Sequence, residues 1–183
     1  MQRIQRIDAA QAPAKTAALL DAVKKQMGGV PNIIATMAQS SAALGGYLGF
    51  AGALAGGTLP TAMREQVALA VAGANDCDYC ASAHTVLGSK AGLASDEISR
   101  NLGGRSTDAK VQGALRFASR IVATRGKVSD EDLAQVRRAG FSDEQVVEIV
   151  ANTVLNIFTN YINHIAETEI DFPVVKAASA AAA

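Results

Sequence analysis

This chain has no excess of charge of either sign. Its 183 residues carry 17 basic and 17 acidic side chains, for a formal net charge of zero. A balanced chain offers no electrostatic footprint for nucleic acid or an anionic membrane, so neither is expected as a partner. No basic-then-apolar signal opens the sequence, where Met1-Gln2-Arg3-Ile4 leads into ordinary residues, and the expected compartment is the cytoplasm. Strand-like alternation is absent over any long stretch. No internal repeat or second domain is visible. The length suits one domain, residues 1–183, able to bury a real core.

Helical signals fill the chain instead. Hydrophobic periodicity and caps predict helices at about 14–27, 32–37, 40–55, 61–75, 78–91, 95–101, 108–125, 130–139 and 142–168. Ser95 with Ile98, Ser129 with Asp132 and Ser142 with Gln145 mark helix starts, the last as a capping box. Gly92, Gly126 and Gly140 mark ends. The alanine–serine tail, 177–183, is expected to fray.

Cysteine and histidine are scarce, two of each, and three of the four fall in one short segment. From Glu65, eleven residues lead to Cys77, two more to Cys80 and three more to His84. Cys80 and His84 stand at i and i+4, on one helical face. Cys77 and Cys80 form a Cys-x-x-Cys unit, the span that closes a small disulfide near a helix start. In a straight helix Glu65 would lie roughly 18 Å from Cys77 at 1.5 Å per residue. Ala74-Asn75-Asp76-Cys77-Asp78 carries turn and N-cap residues, and a reversal there brings the second helix back along the first. Glu65 and His84 then lie about 13 and 9 Å from the turn, at nearly the same level, and the carboxylate reaches the imidazole.

These are the parts of a thiol redox site. Only a thiolate attacks, and a free thiol has a pKa of about 8.5. Cys80, in the first turn of the second helix, meets the positive end of its dipole. His84 takes its proton and Glu65 orients the imidazole. Attack on a peroxide oxygen gives a sulfenic acid, Cys77 condenses with it to a disulfide, and an external thiol re-reduces the pair. Two other uses compete. Glu65, Cys77, Cys80 and His84 would also make four zinc ligands in a non-catalytic helical module, although a structural zinc site usually draws on short knuckles and Glu65 lies deep in a helix. The cysteines could also be inert core residues. In the cytoplasm a cysteine pair is more often catalytic than structural.

Glu-x11-Cys-x-x-Cys-x3-His in an alanine-rich helical chain resembles the alkylhydroperoxidase D core of the carboxymuconolactone decarboxylase superfamily. Val30-Pro31-Asn32, Leu59-Pro60 and the late run Phe158–His164 through Asp171-Phe172-Pro173 resemble its peroxidase-related members. The resemblance covers roughly residues 13 to 175. It implies an all-α, single-domain helical bundle, a homo-oligomer, and cofactor-free reduction of a hydroperoxide at the expense of a thiol or dithiol reductant, with no metal. It implies that Cys80 is the peroxidatic thiol, Cys77 its partner, and Glu65 and His84 the proton relay. The best-studied type of member has a second histidine just before the second cysteine. This chain has Tyr79, a hydrogen-bond donor but a poor base near neutral pH, with an ordinary pKa of about 10. The decarboxylase branch lacks the cysteine pair, so lactone decarboxylation is the runner-up activity.

Two patterns remain. Gly45, Gly49, Gly52 and Gly56 recur at helical spacing. No strand precedes them to make a phosphate loop, and close helix packing is the expected reason for them. From Ile149 to Ala166 there is no Asp, Glu, Lys or Arg. The four asparagines in this run argue against a membrane span. Asn152, Asn156, Thr159, Asn160 and Asn163 fall within about 100° on a helical wheel. Uncharged amides without neighbouring charges predict a buried polar stripe, which must find partners. A subunit interface is favoured over the wall of the reactive pocket, with His164 as a hydrogen-bonded interface residue.

Overall fold

A computed structural model describes residues 2–177 of the chain. Among them the fold is all-α. A short 3-10 turn, Ala9–Gln11, precedes α1 (Ala14–Met27), α2 (Asn32–Met37), α3 (Ser41–Ala55), α4 (Thr61–Ala74), α5 (Asp78–Lys90), α6 (Ser95–Leu102), α7 (Ala109–Thr124), α8 (Asp130–Arg138) and α9 (Asp143–Ala166). Each predicted helix exists within a residue or two of its expected bounds. Ser129 and Ser142 both close full capping boxes, with Asp132 and Gln145. Gly92, Gly126 and Gly140 all take left-handed backbone conformations, which only glycine adopts without strain. Ser95 is the first residue of α6, as expected of a helix start, but the N-cap is Ala94, with no side-chain cap.

The central element is α4, packed against α5, α6, α7 and α9. Its residues Gln66 to Gly73 are buried without interruption, as a helix surrounded by others requires. Gly73 permits the closest approach, since a Cβ there would lie 1.8 Å from the Leu102 carbonyl oxygen of α6. Two apolar clusters flank this helix. One holds Leu20, Ile34, Leu44 and Leu69 with both cysteines and Tyr79. The other gathers Val67, Val71, Leu115 and Ile149. The reactive segment is thus set against a packed core.

Three expectations change. Gly49 and Gly52 do not serve close packing within the chain: nothing lies within 4 Å of a Cβ built on either. Only Gly45 faces a neighbouring helix, with Leu19 at 3.8 Å from such a Cβ. Fraying does not begin at Ala177, which is fully buried and whose backbone N–H donates to Asp78 Oδ1 at 2.9 Å. The rest of that tail, 178–183, lies outside the described residues. The asparagine stripe is buried, but by its own chain and not by a second copy. Asn152 and Asn156 donate to the carbonyls of Glu148 and Asn152, one turn back. Asn160 and Asn163 meet Asn75 and Cys80. Missing charges reveal burial, and do not reveal what covers the residue.

Candidate active site

The chain reverses between Ala74 and Asp78. Asp76 takes a left-handed conformation, φ 52°, and the Cys77 N–H donates to the Ala72 carbonyl at 2.9 Å. This turn makes Cys77 the N-cap of α5 and puts Cys80 in its first turn. The reversal also brings α5 back beside α4. His84 Nδ1 lies 2.8 Å from Glu65 Oε2. A carboxylate only accepts, so Nδ1–H donates. Both side chains are mostly buried, 19% and 18% exposed.

Cys77 and Cys80 are free thiols, both buried. Their environments differ. A hydrogen bond from the Cys77 thiol holds the Cys80 pKa below the ordinary thiol value; burial opposes this, and Asn163, Asn160 and Thr159 of α9 assist. Asn163 Nδ2 donates to Cys80 Sγ at 3.2 Å. Cys77 is pushed far upward, first by its hydrogen bond to Cys80 and then by burial. The hydrogen bond between them favours the thiolate at Cys80 and the thiol at Cys77. That division of labour suits a nucleophile and a partner that condenses with it.

Cys80 and His84 line one cavity of about 80 Å³, whose other walls include Ile33, Ile34, Tyr47, Leu87 and Phe172. It is predominantly apolar. Tyr47, on α3, went unnoticed in the sequence. Burial raises its pKa to about 12, with Cys80 and Glu65 adding, so it stays a phenol near neutral pH. No local signal singles it out, since it is one of two aromatics, with Phe50, in a helix otherwise of small residues and leucine.

Tyr79 is a clamp. Its hydroxyl donates to Asp171 Oδ1 at 2.7 Å and accepts from the Ile33 N–H at 3.1 Å. Asp171 Oδ2 also accepts from the Asn32 N–H at 2.9 Å, and Phe172 stands edge-on to the Tyr79 ring with centroids 5.7 Å apart. Burial drives the Tyr79 pKa well above its ordinary value. With both its hydrogen bonds made, this hydroxyl fixes the first turn of α5 to α2 and the C-terminal segment. Val30-Pro31-Asn32 and Asp171-Phe172-Pro173, far apart in sequence, meet at this point.

His164 is exposed, and its Nε2 donates to the Asn75 carbonyl at 2.9 Å. It braces the turn and does not line the Cys80 cavity. Among the described residues no three of His, Cys, Asp and Glu are grouped to hold a metal ion. Glu65 and His84 are engaged with each other, and Cys80 with Asn163. Among the described residues no helix is long and apolar enough to cross a membrane.

The family model described as carboxymuconolactone decarboxylase matches residues 39–124, a span that includes Glu65, both cysteines and His84. The chain matches no curated protein. Among solved structures, the alkylhydroperoxidase D core of a peroxidase-related protein from Ralstonia eutropha is 24% identical with a TM-score of 0.81, covering 93% of this chain and 92% of that one. A peroxidase-related protein from Silicibacter sp. is 20% identical with a TM-score of 0.78, covering 91% and 88%. The debrominase Bmp8, in complex with 2,3,4-tribromopyrrole, is 19% identical with a TM-score of 0.79, covering 92% and 91%.

Proposed function

We propose that this chain, whose residues 39–124 match the carboxymuconolactone decarboxylase family model, is a thiol peroxidase of the alkylhydroperoxidase D type. The observation that carries the reading is one thiol with a depressed pKa, Cys80, sharing a cavity wall with His84, whose imidazole is hydrogen-bonded to Glu65.

The Cys80 thiolate attacks the terminal peroxide oxygen and the O–O bond breaks. The leaving alkoxide takes a proton relayed by His84 and departs as an alcohol, leaving Cys80 as a sulfenic acid. Glu65 holds the imidazole in the required tautomer. The Cys77 sulfur attacks the sulfenic sulfur, water leaves, and a disulfide forms. A dithiol then returns two electrons and two protons to the pair. No metal or cofactor enters these steps. A cytoplasmic thiol pool suits the re-reduction.

The test is peroxide consumption with a dithiol donor, coupled to thiol titration. Peroxide should remove two thiols per chain, restored by the donor. A protein that keeps both thiols under peroxide and releases CO2 from a carboxylated lactone would be a lyase instead.

The proposed assembly is a homo-oligomer, through a different face from the asparagine stripe. Val147, Val150, Val154, Phe158, Tyr161 and Ile165 leave an apolar ridge exposed along α9. Beside it α3 presents Gly46, Gly49 and Gly52 with open space at their Cβ positions. A ridge and a groove on the same surface are self-complementary, the condition for a two-fold contact between copies. Light scattering should give a multiple of the chain mass, reduced by Val154→Glu. A monomer at micromolar concentration would refute it.

A further inference from the structure

A second space lies beside the Cys80 cavity. It holds about 190 Å³, and its own walls include Val30, Val86 and Lys90. The two spaces share four wall residues, Met27, Pro31, Leu87 and Phe172. Met27, the last residue of α1, is 44% exposed, and an unbranched side chain at the surface is easily moved aside. The inner space is predominantly apolar, while the outer one carries two charged residues. Asp171 spends its carboxylate on the Tyr79 hydroxyl and the Asn32 N–H. Lys90, exposed in the last turn of α5, enters no ion pair among the described residues.

We infer that the two spaces form one path along α5, and that it takes a hydroperoxide carried at one end of an unbranched apolar chain whose other end is a carboxylate. The inference rests on the peroxidase reading above and names the substrate class of that site. Helix α5 is the ruler. Cys80 and Lys90 stand ten residues apart on it, roughly 15 Å at 1.5 Å per residue. An extended chain advances about 1.2 Å per bond, since the three backbone bonds of a residue span at most about 3.6 Å. About a dozen bonds therefore separate the reacting oxygen from an anion paired with Lys90.

Each part of such a molecule meets a matching wall. The apolar lining favours every methylene that it removes from water. The ammonium group of Lys90 selects the end that stays outside. Hydrogen peroxide gains from neither. The chemistry at Cys80 is the step written above: the thiolate takes the terminal oxygen, the O–O bond breaks, and the leaving alkoxide is protonated to an ω-hydroxy acid. The carboxylate is a spectator.

The first experiment uses that product, so that its outcome does not depend on peroxide turnover. The acid ω-hydroxydodecanoate and its methyl ester are titrated against alkylation of the reduced protein by iodoacetamide, with the modified residue mapped. Both should protect Cys80, the acid several-fold more tightly, which is the worth of one exposed ion pair. Added salt should erase the acid's advantage. Lys90→Met should make acid and ester equal, and Lys90→Arg should keep them apart. The six-carbon acid, ω-hydroxyhexanoate, is too short to span both ends and should not differ from its own ester. No protection by the twelve-carbon acid, equal protection by acid and ester, a preference that survives Lys90→Met, or the same preference in the six-carbon pair overturns the inference.

Turnover separates this inference from the reading beneath it. With ω-hydroperoxydodecanoate and its methyl ester, kcat/KM should favour the acid by the same factor, and Lys90→Met should raise KM for the acid alone. Equal turnover of the two overturns the substrate class. If neither is consumed yet the protection pattern holds, the peroxidase reading fails and the path stands. If tert-butyl hydroperoxide is consumed while the acid gives no protection, the path fails and the peroxidase reading stands.

Discussion

Asn163 donates its side-chain amide hydrogen to the sulfur of Cys80 across 3.2 Å, from the buried face of α9, which carries no Asp, Glu, Lys or Arg between Ile149 and Ala166. The hydrogen bond favours the thiolate over the thiol. Replacing Asn163 with Leu removes the donor, so the Cys80 pKa rises and the thiolate fraction at neutral pH falls. Alkylation by iodoacetamide should become about tenfold slower at neutral pH, the worth of one charge-assisted bond. Its pH profile should move to higher pH. An unmoved profile would show that Asn163 only fills space.

The cysteines should separate by chemistry. Cys80→Ser should abolish peroxide consumption, because the depressed pKa and the imidazole both belong to its side of the pair. Cys77→Ser should consume one equivalent of peroxide and stop at a sulfenic acid that dimedone traps. Undiminished turnover in Cys80→Ser would remove the nucleophile assignment.

Glu65 and His84 touch at 2.8 Å and would act on one proton path. Glu65→Gln and His84→Ala should each slow peroxide reduction by ~10²–10⁴-fold, the usual worth of general acid–base help. The double variant should lose little more than the worse single one. Multiplied losses would mean that the two residues act independently.

What could be read from the sequence follows from the range of each interaction. Helix ends were legible because caps are local, as at Ser129 and Ser142, where side chain and backbone meet three residues apart. The Glu65–His84 pairing was legible because turn residues at Asn75 and Asp76 announce the reversal that brings them level. Tyr79 was only half legible. Its identity stands in the motif, but its partner Asp171 lies 92 residues away, and a long-range bond leaves no local mark. Tyr47 was invisible, because nothing in a run of alanine and glycine distinguishes a pocket aromatic from a core one. The asparagine stripe shows the limit in another form. Its burial was legible, but whether Cys80, Asn75 or a second copy lay against it depended on how α9 crosses the rest of the fold.

Glu148 offers a stability test with a definite sign. Burial raises its pKa, but hydrogen bonds from the Thr58 and Leu59 backbone and the Thr58 hydroxyl outweigh this and hold it below the ordinary glutamate value. These bonds, at 2.8–3.1 Å, tie the start of α9 to the turn that opens α4, the helix bearing Glu65. A carboxyl whose folded pKa is depressed stabilises the fold above its unfolded pKa of about 4.3. That contribution is lost as pH falls through the lower folded value. Glu148→Gln should therefore reduce stability at pH 7 by about 1–2 kcal/mol, at the low end for charge-assisted bonds because the carboxylate is partly solvated. The gap between variant and unmodified protein should close as the pH drops below the glutamate range. Urea unfolding at neutral and acid pH measures both limbs. A deficit that is the same at the two pH values would mean that the carboxylate's charge plays no part in holding this turn.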